Sequence, residues 1–181
     1  MEMHIATYGD PVLRTKGARV EKITDETRLL AAEMIETMNA AHGVGLAAQQ
    51  VGYALQIAII DVSGVEDRPS VMRVGGQEVN LEDWMPLILL NPEVQPGQEK
   101  EPGTEGCLSF PEISAQIQRA RIVNVKARLL DGRDVEFEAE GFLARAIQHE
   151  ADHLNGILFI DRMNSATKAS LSGRLKKMSK R

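Results

Sequence analysis

A His-Glu-x-x-His pattern lies within residues 141–156, in the stretch GFLARAIQHEADHLNG. Apolar residues recur there at helical spacing and Gly156 is a common residue after a helix, so the stretch is predicted to be helical. Because His149 and His153 are four residues apart, a helix places both imidazoles on one face. Two such imidazoles can bind a metal ion, and the carboxylate of Glu150 can reach a water beside it. A third ligand must come from elsewhere in the chain.

The same histidines have a simpler interpretation. Two histidines at this spacing can form a solvated face or a hydrogen-bonded pair, and Asp152 can be an ordinary exposed acid. The pattern occurs by chance in on the order of one chain in a hundred. Its position on an amphipathic helix with small and aliphatic neighbours favours the metal site.

Length and composition indicate a single domain with a substantial core. The chain has 181 residues, of which 43% are hydrophobic and 26% charged, and this is ordinary for a globular protein. No apolar run is long enough for a membrane span, and the N-terminal residues do not resemble an export signal. The single cysteine, Cys107, excludes an internal disulfide and suggests a reducing compartment. We therefore expect a cytoplasmic protein.

Charge is distributed unevenly along the chain. Residues 162–181 carry seven basic side chains and no acid, so residues 1–161 carry −12 and the whole chain −5. Leu171, Leu175 and Met178 are spaced four and three apart within this tail, as in a weak amphipathic helix. The pattern predicts a basic helix over residues 165–181, either a solubilising terminus or a docking element.

Several other segments can be placed from their patterns. Thr24 is predicted to begin a helix that ends near Gly43. Residues 55–62 and 87–90 are predicted strands, and residues 123–129 and 135–139 alternate as a hairpin around a turn at 131–132. Residues 63–85 interrupt these patterns and are predicted to form a long loop or excursion without an assigned role. The segment around Cys107 is predicted to be rigid but irregular.

Three motifs in this order resemble the signature motifs of peptide deformylases: GVGLAAQQVG at residues 43–52, EGCLS at 105–109 and QHEADH at 148–153. The stretches DPVLR and GILFIDR are also similar to that family, so the resemblance covers nearly the whole chain. The visible departures are peripheral, such as Gly9 where members often have proline, and the 63–85 insertion. The resemblance implies an enzyme that removes the N-formyl group from formylmethionine of nascent proteins.

The resemblance also implies a role for each motif residue. It assigns one metal ion to Cys107, His149 and His153, with water in a fourth position. Glu150 would be the general base, and Gln50 with the backbone N–H of Leu108 would bind the oxyanion. Substrate binding is assigned to the strand edge and pocket residues Val44, Gly45, Gly106, Phe142 and Ala146. The sequence does not tell whether Arg145 points into this pocket.

Metal and partners follow from the same resemblance. Fe²⁺ is expected as the physiological metal, with Zn²⁺, Ni²⁺ or Co²⁺ able to replace it. The expected partners are formylmethionyl peptides and, through the basic helix, the ribosome surface, with no membrane and no sequence-specific nucleic acid. A monomer is expected, with a catalytic domain over residues 1–164 and a tail over 165–181.

Two other function classes fit the sequence less well. A zinc endopeptidase could use the same helix, but its third ligand usually follows the motif, whereas His4 and His42 both precede it. A binding module derived from an enzyme would be expected to have lost Glu150 or Gln50, and both are present.

The expected fold is α+β. The histidine-bearing face must meet both the Cys107 segment and the Gln50 loop, which places the helix around 142–154 in the middle of antiparallel strands.

Overall fold

A computed structural model describes residues 1–180. These residues form an α+β fold with three α-helices and nine strands, which confirms the predicted class. The helices are α1 (Asp25–Ala40), α2 (Phe142–Leu154) and α3 (Ser165–Ser179). The strands are β1 (Gly45–Ala47), β2 (Ile57–Ile60), β3 (Ser70–Val74), β4 (Gln77–Glu78), β5 (Leu87–Pro96), β6 (Lys100–Cys107), β7 (Phe110–Ala120), β8 (Ile122–Arg128) and β9 (Asp134–Gly141). None of the described helices is long and apolar enough to cross a membrane.

The strands form two antiparallel sheets. The larger has seven strands in the order β1-β2-β5-β8-β9-β3-β4, and the smaller is the β6–β7 hairpin. Helix α2 packs against strands of the larger sheet and against β7 of the hairpin. Leu143, Ala144, Ile147 and Leu154 of this helix are buried in the core formed with the larger sheet. The predicted position of α2 among antiparallel strands is therefore confirmed.

Local signals placed several elements correctly. The hydroxyl of Thr24 accepts a hydrogen bond from the Thr27 amide and caps α1, as expected of a threonine before a helix. The β8–β9 hairpin is also confirmed, with Arg128 paired to Asp134 across the turn. Strand β2 is shorter than predicted, and β5 continues to Pro96 through a register shift between Leu90 and Glu93.

Residues 63–85, predicted to form a long loop or excursion, contain regular structure. They contain the β3–β4 hairpin and a short 3₁₀ turn at Leu81–Asp83. Strand β3 pairs with β9, where Met72 lies opposite Ala139 and is fully buried. The glycine and charged residues of this segment gave no local signal for a strand. The strand is stabilised by pairing with a distant strand and not by local propensity.

Helix α3 packs against the body of the protein. Leu175 is buried, and Leu171 and Met178 are partly buried, in a cluster that includes Phe110 and Phe159. Its four basic residues and Lys180, which directly follows the helix, are exposed: Lys168, Arg174, Lys176, Lys177 and Lys180. The predicted helix and its apolar stripe are confirmed, while Arg181 lies outside the described residues.

The end of α3 approaches the N-terminal segment closely at Gly9. Gly9 has a φ of +107°, and a Cβ atom there would overlap the Ser179 backbone. Proline could not occupy this position, because its ring holds φ near −65°.

Candidate metal centre

Cys107 is the last residue of β6, at the tip of the β6–β7 hairpin. It pairs with Phe110 across a two-residue turn formed by Leu108 and Ser109. The prediction of an irregular segment was wrong, because Pro102, Gly103 and Gly106 argue locally against a strand. The hairpin projects the thiol towards α2.

Helix α2 presents His149 and His153 to this thiol, as their spacing predicted. Their ring centroids are 5.0 Å apart, and Cys107 Sγ lies 3.3 Å from His153 Nε2. One potential ligand atom from each of the three residues lies within 4.8 Å of the others. Among residues 1–180, this is the one group of three or more His, Cys, Asp or Glu residues with such geometry.

The donor set fits a divalent metal ion. A thiolate with two imidazole nitrogens suits zinc, iron(II), nickel or cobalt. Both histidines are buried on the helix face that meets the hairpin tip. Three protein ligands would leave a fourth position of a bound metal open, which is typical of a catalytic and not of a structural site.

Glu150 adjoins the three candidate ligand residues and is almost completely buried. Its Oε1 atom has no hydrogen-bond partner among the described residues, and a Cβ atom on Gly45 would overlap its Oε2. Burial raises the pKa of Glu150 to about 7. The carboxyl group can therefore gain or lose a proton near neutral pH, as a general base must.

The amide of Gln50 is oriented towards the thiol. Its Oε1 accepts a hydrogen bond from the Ala47 amide at 2.9 Å, so Nε2 must face the other way. Nε2 donates to Ser109 Oγ at 3.1 Å and lies 3.6 Å from Cys107 Sγ. The contact from Ala47 thus fixes a hydrogen-bond donor beside the candidate ligands.

Gln49 has a different position, although it precedes Gln50 directly. Its Nε2 donates to the carbonyl oxygens of Thr15 and Leu154, each at 3.2 Å. It ties the N-terminal segment to the end of α2 and does not line the cavity beside the thiol.

Glu105 is a site residue that sequence reasoning missed. Its Oε1 accepts a hydrogen bond from His149 Nδ1 at 2.8 Å. Its two oxygens also accept from Arg119, and Oε2 accepts from Arg145. One available signal was its position two residues before Cys107, because alternate residues of a strand share a face.

These contacts shift the pKa values of the two histidines in opposite directions. Burial opposes ionisation of Glu105, but hydrogen bonds from His149 and Arg119 hold its pKa well below the usual range. Burial also opposes charge on His149, yet hydrogen bonds with Cys107 and Glu105 raise its pKa well above normal. Burial and the nearby His149 lower the pKa of His153 well below normal.

Asp152, inside the His-Glu-x-x-His pattern, belongs to the same charged cluster. It accepts hydrogen bonds from Arg119 at 2.6 Å and from Arg162 at 2.9 Å. Its side chain is only 13% exposed. The interpretation of Asp152 as an ordinary exposed acid was therefore wrong.

A cavity of about 610 Å³ opens beside these groups. Its lining contains ten of the eleven residues predicted for the site, while His153 lies deeper. These ten are Val44, Gly45, Gln50, Gly106, Cys107, Leu108, Phe142, Ala146, His149 and Glu150.

Arg145 contributes to the cavity wall, but its guanidinium group is committed elsewhere. It donates to the carbonyl oxygens of Glu101 and Ile117, at 2.9 and 2.8 Å, and to Glu105. Arg145 therefore holds α2 against both strands of the β6–β7 hairpin, and its charge is neutralised there.

Known proteins are similar to this chain in sequence and fold. A family model described as "Polypeptide deformylase" matches residues 2–169. The peptide deformylase of Methylacidiphilum infernorum is 45% identical over 178 residues, which are 98% of this chain and 93% of that protein. The crystal structure of the Thermotoga maritima peptide deformylase matches with a TM-score of 0.75 and 39% identity, over 91% of this chain and 99% of that one. A Synechococcus elongatus peptide deformylase, solved in complex with actinonin, matches with a TM-score of 0.80 and 37% identity, over 97% of this chain and 85% of that one.

Proposed function

We propose, because the chain belongs to the peptide deformylase family, that Cys107, His149 and His153 hold its catalytic metal ion. The protein is a metal-dependent hydrolase that removes the N-formyl group from the formylmethionine of nascent proteins and releases formate. When bound, a divalent metal polarises a carbonyl group and lowers the pKa of a water molecule. The remaining steps are assigned to side chains and backbone groups of this chain.

Glu150 is the proposed general base. Its carboxylate takes the proton of the water that attacks the formyl carbon, and it then returns that proton to the departing amine. Its burial, its raised pKa and an Oε1 atom without a hydrogen-bond partner among residues 1–180 support this role.

Gln50 and Leu108 are proposed to stabilise the negative charge on the formyl oxygen. The Gln50 amide is oriented in advance by Ala47, so its Nε2 needs no rearrangement to donate. Leu108 follows Cys107 at the hairpin tip, and its backbone N–H would be the second donor. Donors oriented in advance are effective because they need no reorganisation during the reaction.

The remaining cavity residues are proposed to bind the peptide. Gly45 begins β1, the edge strand of the larger sheet, and Val44 directly precedes it. Gly106 lies near the tip of the hairpin across the cavity. An extended substrate can add a strand there through backbone hydrogen bonds. Phe142 and Ala146 would line the pocket for the methionine side chain.

Fe²⁺ is the proposed physiological metal, and Zn²⁺, Ni²⁺ or Co²⁺ would be able to replace it. One thiolate and two imidazoles accept all four ions. A thiolate that binds iron is open to oxidation, so loss of activity in air would accompany the iron form.

The observation that carries this proposal is the convergence of Cys107, His149 and His153 beside Glu150 and the Gln50 amide. The test is release of formate from formyl-Met-Ala-Ser under anaerobic conditions, with and without ferrous salt. We expect turnover that depends on the metal and declines in air. Turnover by a rigorously metal-free preparation would contradict the proposed site.

The exposed basic residues of α3 are proposed to bind the ribosome. The protein is proposed to act in the cytoplasm, where nascent chains emerge. Residues 1–161 carry −12, so they are repelled by the phosphates of the ribosome surface. The exposed positive side of α3 would be attracted to that surface and would orient the enzyme towards it.

Because Leu175 is part of the core, deletion of α3 would disturb the fold. Substitution of Lys176, Lys177 and Lys180 by glutamine is the cleaner test. Co-sedimentation with ribosomes should be lost in this variant and should weaken with salt in the natural protein, while hydrolysis of formyl-Met-Ala-Ser stays unchanged. Equal co-sedimentation of both proteins would leave α3 without a docking role.

A further inference from the structure

The insertion at residues 63–85, to which the sequence assigned no role, caps the N-terminus of helix α2. The backbone amide of Phe142 donates to the Pro69 carbonyl at 3.0 Å, and that of Leu143 donates to Ser70 Oγ at 2.9 Å. The residue before the helix, Gly141, supplies no side-chain cap. The insertion therefore satisfies amide groups that the start of a helix leaves free.

Arg68 extends from this anchored segment over the ring of Phe142. Its Cζ atom lies 4.2 Å from the ring centroid, within the range of a cation–π contact. The side chain is half-buried. Among residues 1–180 it has no carboxylate partner within 4.0 Å. The contact with Phe142 is thus its principal constraint.

Arg68 and Phe142 lie between two cavities. The first is the site cavity of about 610 Å³, and the second, of about 590 Å³, lies on the side of the insertion. Both are lined by Arg68, Thr104, Phe142 and Arg145. Arg145 is fixed by its hydrogen bonds to the hairpin, and Phe142 by the helix. Among the residues between the two cavities, Arg68 is therefore the one whose side chain a substitution can remove without disturbing the proposed metal ligands.

We propose that Arg68 is a specificity-determining residue that closes the side-chain pocket for the first residue of the substrate. The inference rests on the proposed function, in which Phe142 and Ala146 line that pocket. The Arg68 side chain, with its Cζ atom over the ring of Phe142, separates the pocket from the second cavity. It limits the pocket to an unbranched side chain of about the length of methionine.

The test uses formylated tripeptides that differ only in their first residue. Formyl-Met-Ala-Ser is compared with formyl-2-aminooctanoyl-Ala-Ser, whose unbranched side chain is two atoms longer. In Arg68→Ala, the ratio of kcat/KM for the longer substrate to that for the methionine substrate should rise about tenfold, within the range by which apolar pockets discriminate. The two unformylated product peptides should show the same preference as inhibitors. In Arg68→Ala, inhibition by the longer peptide should strengthen relative to inhibition by Met-Ala-Ser, because the change acts on binding.

Arg73→Ala is the matched control. It removes the same charge from the same insertion, but Arg73 pairs with Glu138 and Glu140 and lines neither cavity. Its substrate ratio should equal that of the natural protein. An unchanged ratio in Arg68→Ala, or an equal rise in Arg73→Ala, would overturn the inference about Arg68. Failure of the natural protein to release formate from formyl-Met-Ala-Ser would instead contradict the proposed function.

Discussion

His149 Nδ1 donates a hydrogen bond to Glu105 Oε1 over 2.8 Å, and both groups are buried. This bond fixes the ring orientation of His149 and directs its Nε2 towards Cys107. A carboxylate behind a ligating histidine orients the ring and makes it a stronger donor to the metal. Arg119 and Arg145 hold the carboxylate in place, so the hairpin and α2 share one buried ionic cluster.

Glu105→Gln should weaken metal binding and destabilise the protein. The amide is a poorer acceptor for His149 and leaves Arg145 without a charge partner, while Arg119 keeps only Asp152. We expect roughly 10–100-fold weaker metal retention. Loss of one partner from a buried pair is expected to cost roughly 3–5 kcal/mol in the free energy of unfolding. Competition with a chelator and chemical denaturation measure the two effects.

Glu101→Gln is the control for that substitution. Glu101 lies on the same strand, and its side chain makes no hydrogen bond or ion pair within residues 1–180, although its backbone carbonyl accepts from Arg145. Metal retention as weak in Glu101→Gln as in Glu105→Gln would mean that the hydrogen bond to His149 does not orient the ligand.

Glu150→Gln should keep the metal and lose most of the turnover. The amide cannot accept a proton, while Cys107, His149 and His153 are unchanged. The expected loss in kcat is on the order of 10²–10⁴, the contribution typical of general acid–base catalysis. Metal analysis and formate release are measured on the same sample, and a fully active, metal-loaded variant would require another base.

Cys107→Ser should show the opposite pattern. A hydroxyl group is a much weaker ligand than a thiolate for the soft-metal site formed with two imidazoles. We expect loss of metal during dialysis, with activity falling in proportion to metal content. A variant that retains one equivalent of metal through dialysis would remove Cys107 from the ligand set.

Substitutions of the adjacent residues Gln49 and Gln50 should have different effects on turnover and stability. Gln50→Ala removes the proposed donor to the formyl oxygen and should lower kcat by roughly 10²–10³. Gln49→Ala removes the bonds to Thr15 and Leu154 and should cost about 1–3 kcal/mol in stability, with kcat nearly unchanged. Kinetics and thermal unfolding of both variants distinguish these outcomes, and a larger kcat loss in Gln49→Ala would reverse the assignment.

Local patterns predicted the elements whose signals are contained in a short stretch. Helix α2 was placed within a residue of its observed bounds, because apolar spacing and flanking glycines mark both ends. The apolar stripe of α3 was recognised in the same way. For the site, the histidine spacing alone indicated two candidate ligands, whereas the third candidate came from resemblance.

Features that depend on distant partners were not predictable in this way. In the sequence Glu105 is a charged residue in a segment predicted to be irregular, and its partners Arg119, Arg145 and His149 lie 14, 40 and 44 residues away. Strand β3 is visible only through its pairing with β9. Both features depend on the folded arrangement, which places α2 between the sheet and the hairpin.

The pH dependence of turnover should have an acid limb that belongs to Glu150. The carboxylate is the active form of a base, so kcat/KM should rise with pH as Glu150 loses its proton. Burial raises its pKa from 4.5 to about 7, and a nearby divalent cation lowers it again. The limb is therefore expected between these two values.

Metal content must be measured at each pH, because protonation of His149 competes with metal binding and also reduces activity in acid. Glu150→Gln serves as the control, since its residual kcat/KM should lack the limb while its metal content changes with pH as in the natural protein. A limb of the same midpoint in both proteins would assign the titration to another group and leave Glu150 without evidence of proton transfer.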